Sequence, residues 1–321
     1  MDLTTSLQKL AAYRPKQSQK SKETFEKGVA LLEHGGYLKQ GDEGWDALER
    51  LALAALDQDN LEVADRCLEL IAERFPGSPR VDCLIGIRME ATESPDVVLK
   101  YYDELLEADS SNAAAWRRKV SVLRKMGKVD RAVEELSALL DTFYTDVEGW
   151  LELADLYASC SQYVPILLIS DAQNLMSARY TYALQSLSHA LLLAPQNPSH
   201  FLQFAETAYL AGDITLSLKM FLTVVDMTDD DDGDVSPSDS IPTGMTLRAW
   251  FGVKLCTRRL LTEPRLLTSS GSQTPAPSSS NISTLDDLST ERLRTAYLDI
   301  KNESPPATEK ELIAVLATLI K

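Results

Sequence analysis

Trp116 and Trp150 stand in similar surroundings thirty-four positions apart, and this interval limits the fold more than any other feature of the chain. After Trp150, Leu153, Ala154 and Tyr157 follow at the three- and four-residue steps that place side chains on one helix face. After Trp116, Gly127 marks a turn, and Ala132 and Leu136 begin the apolar face of a second helix. Two steps of the same length towards the N-terminus give starts at Asp82 and Leu48. The first is followed by Ile85, Gly86 and Met89, then Tyr102 and Leu105. The second is followed by Leu51, Ala52 and Ala55, then Ala64, Leu68 and Ala72, with Pro76 closing the unit. One helix pair leaves an apolar stripe uncovered, and stacking the next pair covers it, so such units occur only as arrays.

That interval is the period of the tetratricopeptide repeat, W-x2-L-G-x2-Y followed by A-x3-F and a proline. The expected fold is all-α, a tetratricopeptide-repeat superhelix of about five to six helix pairs with disordered C-terminal linkers. Small residues, Ala52, Gly86 and Ala132, let helices approach, while Trp116, Trp150, Tyr157 and Phe221 fill the wedge between them. A fifth frame starts at Phe201, with Phe204, Ala205, Ala208, Gly212 and Phe221, and not at 184 where the period would put it. Ala183, Leu187, Ala190 and Pro195 lag the frame by the same seventeen positions, so residues 164–180 form an insertion in the turn of the fourth pair. It is either a partner- or membrane-docking elaboration or a translated short intron.

The domain boundaries follow from the same reading. Residues 1–22 are a flexible N-terminus and 23–228 the array. Residues 229–243 are an acidic linker, and 244–263 a degenerate sixth repeat carrying Phe251, Gly252 and Leu255. Residues 264–286 are a Ser/Pro-rich disordered linker, and 287–321 return to helix.

Charge and motifs remove several functional classes. With 48 Asp+Glu against 32 Lys+Arg, a net charge of −16, the chain repels polyphosphate, which argues against nucleic-acid binding. Four scattered cysteines form no CxxC, and the three histidines complete no metal site, so no metal or cofactor is expected. HExxH, GxGxxG, GxSxG and Walker A motifs are all absent, and no catalytic residue is assigned. No window approaches the roughly 18 apolar residues of a membrane span, and the N-terminal residues lack a signal-type apolar run, so a cytosolic chain is expected.

One segment runs against the acidic balance. Residues 116–128, WRRKVSVLRKMGK, gather Arg117, Arg118, Lys119, Arg124, Lys125 and Lys128. The residue after the tryptophan position and those one and two turns later face the groove of such a repeat, which selects Arg117, Ser121, Arg124 and Lys125 as partner-binding candidates. They form either a cradle for an acidic partner segment or a solvated face balanced by Glu134 and Glu135.

The junction RFPGSPRV (residues 74–81), the basic helix, and the runs EGWLELADLY and AETAYLAGD occur in an order that resembles subunit 2 of the endoplasmic reticulum membrane protein complex, in a fungal form. The resemblance spans roughly residues 23–260; the acidic linker, the Ser/Pro-rich segment and the insertion depart from it. It implies a non-catalytic scaffold on the cytoplasmic face of the endoplasmic reticulum, peripheral and without a membrane span of its own. The implied partners are the membrane and cytosolic subunits of an insertase for tail-anchored and multi-pass proteins. The rival reading is a soluble cochaperone-type adaptor that binds acidic C-terminal peptides. Such adaptors spread a Lys/Asn clamp over successive first helices, whereas here Leu151 and Asp155 stand at the next unit's clamp positions.

Overall fold

The repeat pattern alternates two kinds of helix, and the computed structural model of the chain shows that alternation. It describes residues 18–33, 37, 41–162, 171–228, 241–267, 271, 274, 275 and 277–302. After α1 (Ser18–Glu33), the first helices of the successive pairs are α2 (Asp42–Asp57), α4 (Pro79–Thr92), α6 (Ala113–Lys125), α8 (Val147–Gln162), α10 (Pro198–Ala211) and α12 (Gly244–Thr262). Their partners are α3 (Leu61–Arg74), α5 (Pro95–Ala108), α7 (Val129–Thr142), α9 (Asp171–Leu193), α11 (Ile214–Thr228) and α13 (Ser279–Asn302). The chain forms two units, residues 1–139 and 140–321. It is an all-α tetratricopeptide-repeat solenoid.

Local chemistry sets the helix ends. Asn60 and Asn112 cap α3 and α6 by accepting from the Val63 and Ala115 amides at 3.2 and 3.1 Å. Pro79, Pro95 and Pro198 occupy first-turn positions, where a missing N–H costs nothing. In several pairs the eleventh residue after the frame start closes the first helix. Gly127 and Gly212 do so with φ of 72° and 86°. The next residue then donates back to the carbonyl five positions earlier, Lys128 to Leu123 and Asp213 to Ala208, both at 3.0 Å. Asp59 holds the same place with φ 56°, and Asn60 donates to Ala55 at 2.9 Å. An aspartate pays a left-handed penalty that glycine does not. Asp59→Gly should therefore leave the fold intact and raise stability by roughly 0.5–1 kcal/mol, visible as a higher urea midpoint. An unchanged or lower midpoint contradicts the strain assigned to Asp59.

Burial recurs with the frame. Its fifth residue, Ala52, Gly86, Val120, Ala154, Ala205 and Gly252, is buried in every repeat. In the second helices Ala64, Val98, Ala132, Ala183 and Ser217 are at most 1% exposed, and Leu68, Tyr102, Leu136, Leu187 and Phe221 at most 7%. Gly86 is forced: a Cβ there would come within 2.6 Å of the Tyr102 ring. The first unit's core gathers Leu48, Leu51, Cys67 and Ile71, with Phe25 and Val29 of α1 against it. In the second unit Ala154, Ala183, Leu187, Phe204 and Ala208 form one cluster, and Phe221, Trp250, Val253, Leu293 and Ala296 belong to another.

Several expectations change. Residues 171–180 are not turn: α9 starts at Asp171, and Tyr180 is buried, so the second half of the insertion lengthens the second helix of its pair. Residues 163–170 lie outside the described residues. The stretch assigned to a disordered linker up to 286 is helical from Ser279, because Ser278 caps α13 through the Asn281 amide and Ile282 is buried to 1%. Asp286 then accepts from Lys254 and Thr257 of α12, each at 2.8 Å. Serine-rich composition concealed a cap and an apolar face. At the N-terminal end α1 begins at Ser18, inside the segment expected to be flexible. Trp116, Trp150 and Tyr157 are half-buried and not enclosed wedges. Their rings face their own pair: Trp116 donates to Glu135 at 3.0 Å, Trp150 lies 4.3 Å from His189, and Tyr157 lies 5.5 Å from Tyr182. The acidic run 229–234 and residues 303–321 lie outside the described residues.

Candidate partner-binding groove

In the first unit the first helices α2, α4 and α6 line a groove of about 560 Å³. The frame determines which side chains reach it. Glu49, Cys83 and Arg117 are the second residues of three successive repeats, and Leu53 and Ile87 lie one turn later in theirs. Arg80, Arg118 and Asn112 complete the wall. A second hollow of about 300 Å³ adjoins it, sharing Glu49, Arg80 and Leu84 and adding Trp45 and Phe75. The surface is therefore apolar in its middle and mixed in charge, a form suited to a peptide that brings both apolar and polar side chains.

Of the four residues selected from sequence, Arg117 is among the lining residues, Ser121 is half-buried, and Arg124 and Lys125 are exposed. The basic helix α6 is extensively neutralised. Glu90 on α4 has a side chain only 7% exposed, and it accepts from Arg118 at 2.7 Å, from Lys125 at 3.0 Å and from the Tyr102 hydroxyl at 3.0 Å. Lys119, itself 7% exposed, holds Asp103 at 2.7 Å and Glu135 at 2.6 Å. Burial works against its charge, yet the two carboxylates outweigh that and raise its pKa. Lys128 meets Asp96 at 3.4 Å. The counter-charges expected from Glu134 and Glu135 thus come from Glu135, Glu90, Asp103 and Asp96. Nearby, Arg88 grips Asp65 of the preceding pair through two bonds of 2.7 and 2.9 Å, which holds that carboxyl below its usual range.

Sequence reading missed Glu49, Leu53, Arg80, Ile87 and the central acceptor Glu90. Most were within reach, since the rule that selects Arg117 and Ser121, applied one and two repeats earlier, returns Cys83, Ile87, Glu49 and Leu53.

Burial pushes the Cys67 and Cys256 thiols up to about 12 and raises that of Cys83, which disfavours the thiolate, the nucleophilic form, at all three. Among the described residues no cluster of His, Cys, Asp or Glu could hold a metal ion, and no helix is long and apolar enough to cross a membrane.

Comparison with known proteins agrees with this architecture. No family model matches. The chain is 34% identical over 217 residues to ER membrane protein complex subunit 2-A of Xenopus laevis, covering 66% of this chain and 67% of that protein. It is 29% identical over 242 residues to the TPR repeat protein oca3 of Schizosaccharomyces pombe, covering 73% and 74%. Among solved structures, the C-terminal part of a TPR repeat-containing protein from Cytophaga hutchinsonii superposes with a TM-score of 0.50 at 10% identity, over 89% of this chain and 98% of that one, a likeness of fold alone. A repeat solenoid with a peptide-sized groove, and an identity of this level over two thirds of a subunit, lead to one conclusion: the chain belongs to the family of ER membrane protein complex subunit 2.

Proposed function

We propose that the chain is a non-catalytic scaffold, a peripheral subunit of the endoplasmic reticulum membrane protein complex at the cytoplasmic face. There it holds segments of the membrane and cytosolic subunits while the assembly inserts tail-anchored and multi-pass proteins. The observation that carries this reading is the α2–α4–α6 groove, built from equivalent positions of three successive repeats in a chain of that family. Within it, Arg117, Ser121, Arg124 and Lys125 form the part that receives an acidic partner segment, with Arg117 inside the groove and the others along the same helix. The cochaperone-type alternative needs cations on successive helices, and the second-residue ladder Glu49, Cys83, Arg117, Leu151 carries only one.

The test must leave Glu90 satisfied, so Lys125 and Arg118 stay in place. Arg117→Glu combined with Arg124→Glu should keep helicity and the thermal midpoint close to those of the parent, because Arg124 is exposed and Arg117 only half-buried in the groove wall, and surface substitutions shift stability by only about 0.5 kcal/mol each. Recovery of at least one partner in a native pull-down should fall about tenfold, as expected when a charge-assisted contact becomes repulsive. Unaltered assembly would sink the assignment of these residues.

A further inference from the structure

The hollow beside the α2–α4–α6 groove is opposite in charge to the basic helix. Asp42, Asp46 and Glu49 recur at four- and three-residue steps, which puts all three carboxylates on one face of α2. They line a space of about 300 Å³ in which Arg80 is the one cation among the described lining residues. Arg80 reaches Glu49 at 2.7 Å and Asp46 at 3.4 Å, but its side chain is 67% exposed, so both pairs are screened by solvent and exchange readily. Three carboxylates against one guanidinium leave the hollow acidic. The adjoining groove has the reverse balance, Arg80, Arg117 and Arg118 against Glu49, with Arg118 already held by Glu90.

The wall of the hollow is aromatic. Pro76 and Gly77, the latter at φ 70°, turn the chain sharply after α3, and the Phe75 ring is left 39% exposed at the rim. Trp45 meets that ring edge-on with 5.6 Å between centroids, and Tyr37 backs Trp45 in turn at 5.7 Å. Ile71, Val81 and Leu84 complete the lining with apolar surface. A guanidinium suits such a site better than an ammonium, because it lies flat on an aromatic face while its N–H groups bond a carboxylate in their own plane. The chain already uses both contacts here: Arg74 lies over the Phe75 ring at 5.5 Å, and Arg80 takes the carboxylates.

We propose that this hollow receives an arginine side chain from an extended, otherwise apolar partner segment, with the guanidinium against Trp45 and beside Asp42 and Asp46. The surface then sorts its ligand by charge. Arginine goes to the α2 end and carboxylate to Arg117 on α6, which fixes the direction in which the segment lies. The inference rests on the groove being a peptide site and adds the side chain that its acidic end selects.

Binding of the full-length chain to immobilised pools of nine-residue peptides tests it. The central position of each pool is arginine, lysine, citrulline or glutamate, and the flanks are mixtures of leucine, alanine and serine. Arginine peptides should retain about ten times more of the chain than citrulline peptides, which keep the shape and lose the charge, with lysine between them. Asp42→Asn with Asp46→Asn, both exposed positions, should abolish that preference and leave helicity as in the parent. Equal retention by the arginine and citrulline pools, a preference that survives the double substitution, or no retention by any pool overturns the proposal. The comparison of pools uses the unaltered chain and so stands even where the variant misfolds. The native pull-down with Arg117→Glu and Arg124→Glu reports separately on the scaffold reading. Loss of partners there with no arginine preference here removes the arginine site alone, and an arginine preference here with no membrane subunits there removes the scaffold reading alone.

Discussion

Replacing Tyr102 with alanine should cost about 3–5 kcal/mol of folding stability, the range for deleting a large aromatic ring from a packed core. Tyr102 is fully buried, its ring fills the space left by the absent Cβ of Gly86, and its hydroxyl donates to Glu90. Truncation opens a cavity between α4 and α5 and removes one donor from a nearly buried carboxylate, so two penalties add. Loss of stacking between adjacent pairs should spread the damage along the first unit. Urea unfolding followed by far-UV circular dichroism reads the change, and a loss below about 1 kcal/mol would contradict this packing. The same measurement on Trp150→Ala should show a smaller loss. That indole is half-buried, held by one hydrogen bond to the Tyr144 carbonyl at 2.8 Å and by the His189 ring.

Glu90→Ala should be the costliest polar substitution, about 2–4 kcal/mol, since removing one partner of a mostly buried ion pair strands the other. Here three donors lose their acceptor together: Arg118, Lys125 and Tyr102. Arg118 and Lys125 are 33% and 63% exposed and regain water, which keeps the figure below that of a fully enclosed pair. Glu90→Gln should recover part of the loss by keeping a hydrogen-bonding side chain. A double-mutant cycle with Tyr102→Phe isolates the shared bond, and a coupling energy near zero would remove Glu90 from the centre of the network.

The repeat core was legible because it depends on local geometry. A helix pair that must stack on its neighbour once per repeat presents the same few positions to the core each time, so Ala52, Gly86, Ala132 and Phe221 could be named from spacing. The lag of Ala183 and Leu187 located the fourth pair's second helix. What spacing could not supply was direction and partnership. Trp150 sits at the frame's first position, yet its ring turns to His189 of its own pair. Glu90 gathers donors 12, 28 and 35 residues away, an arrangement that exists only once the pairs are stacked. The basic helix looked like an unbalanced cluster because its counter-charges are scattered over residues 90–135. At the other end, serine- and proline-rich composition outweighed the single buried Ile282 and the Asp286–Lys254 contact that order the start of α13.

The central claim is that this solenoid works as a fixed part of a membrane-bound assembly. Native purification of the tagged chain from detergent-solubilised endoplasmic reticulum membranes, followed by mass spectrometry, tests it most directly. The account predicts co-elution with integral membrane subunits in constant proportion. Recovery with a cytosolic chaperone, or alone and without membrane subunits, would contradict it.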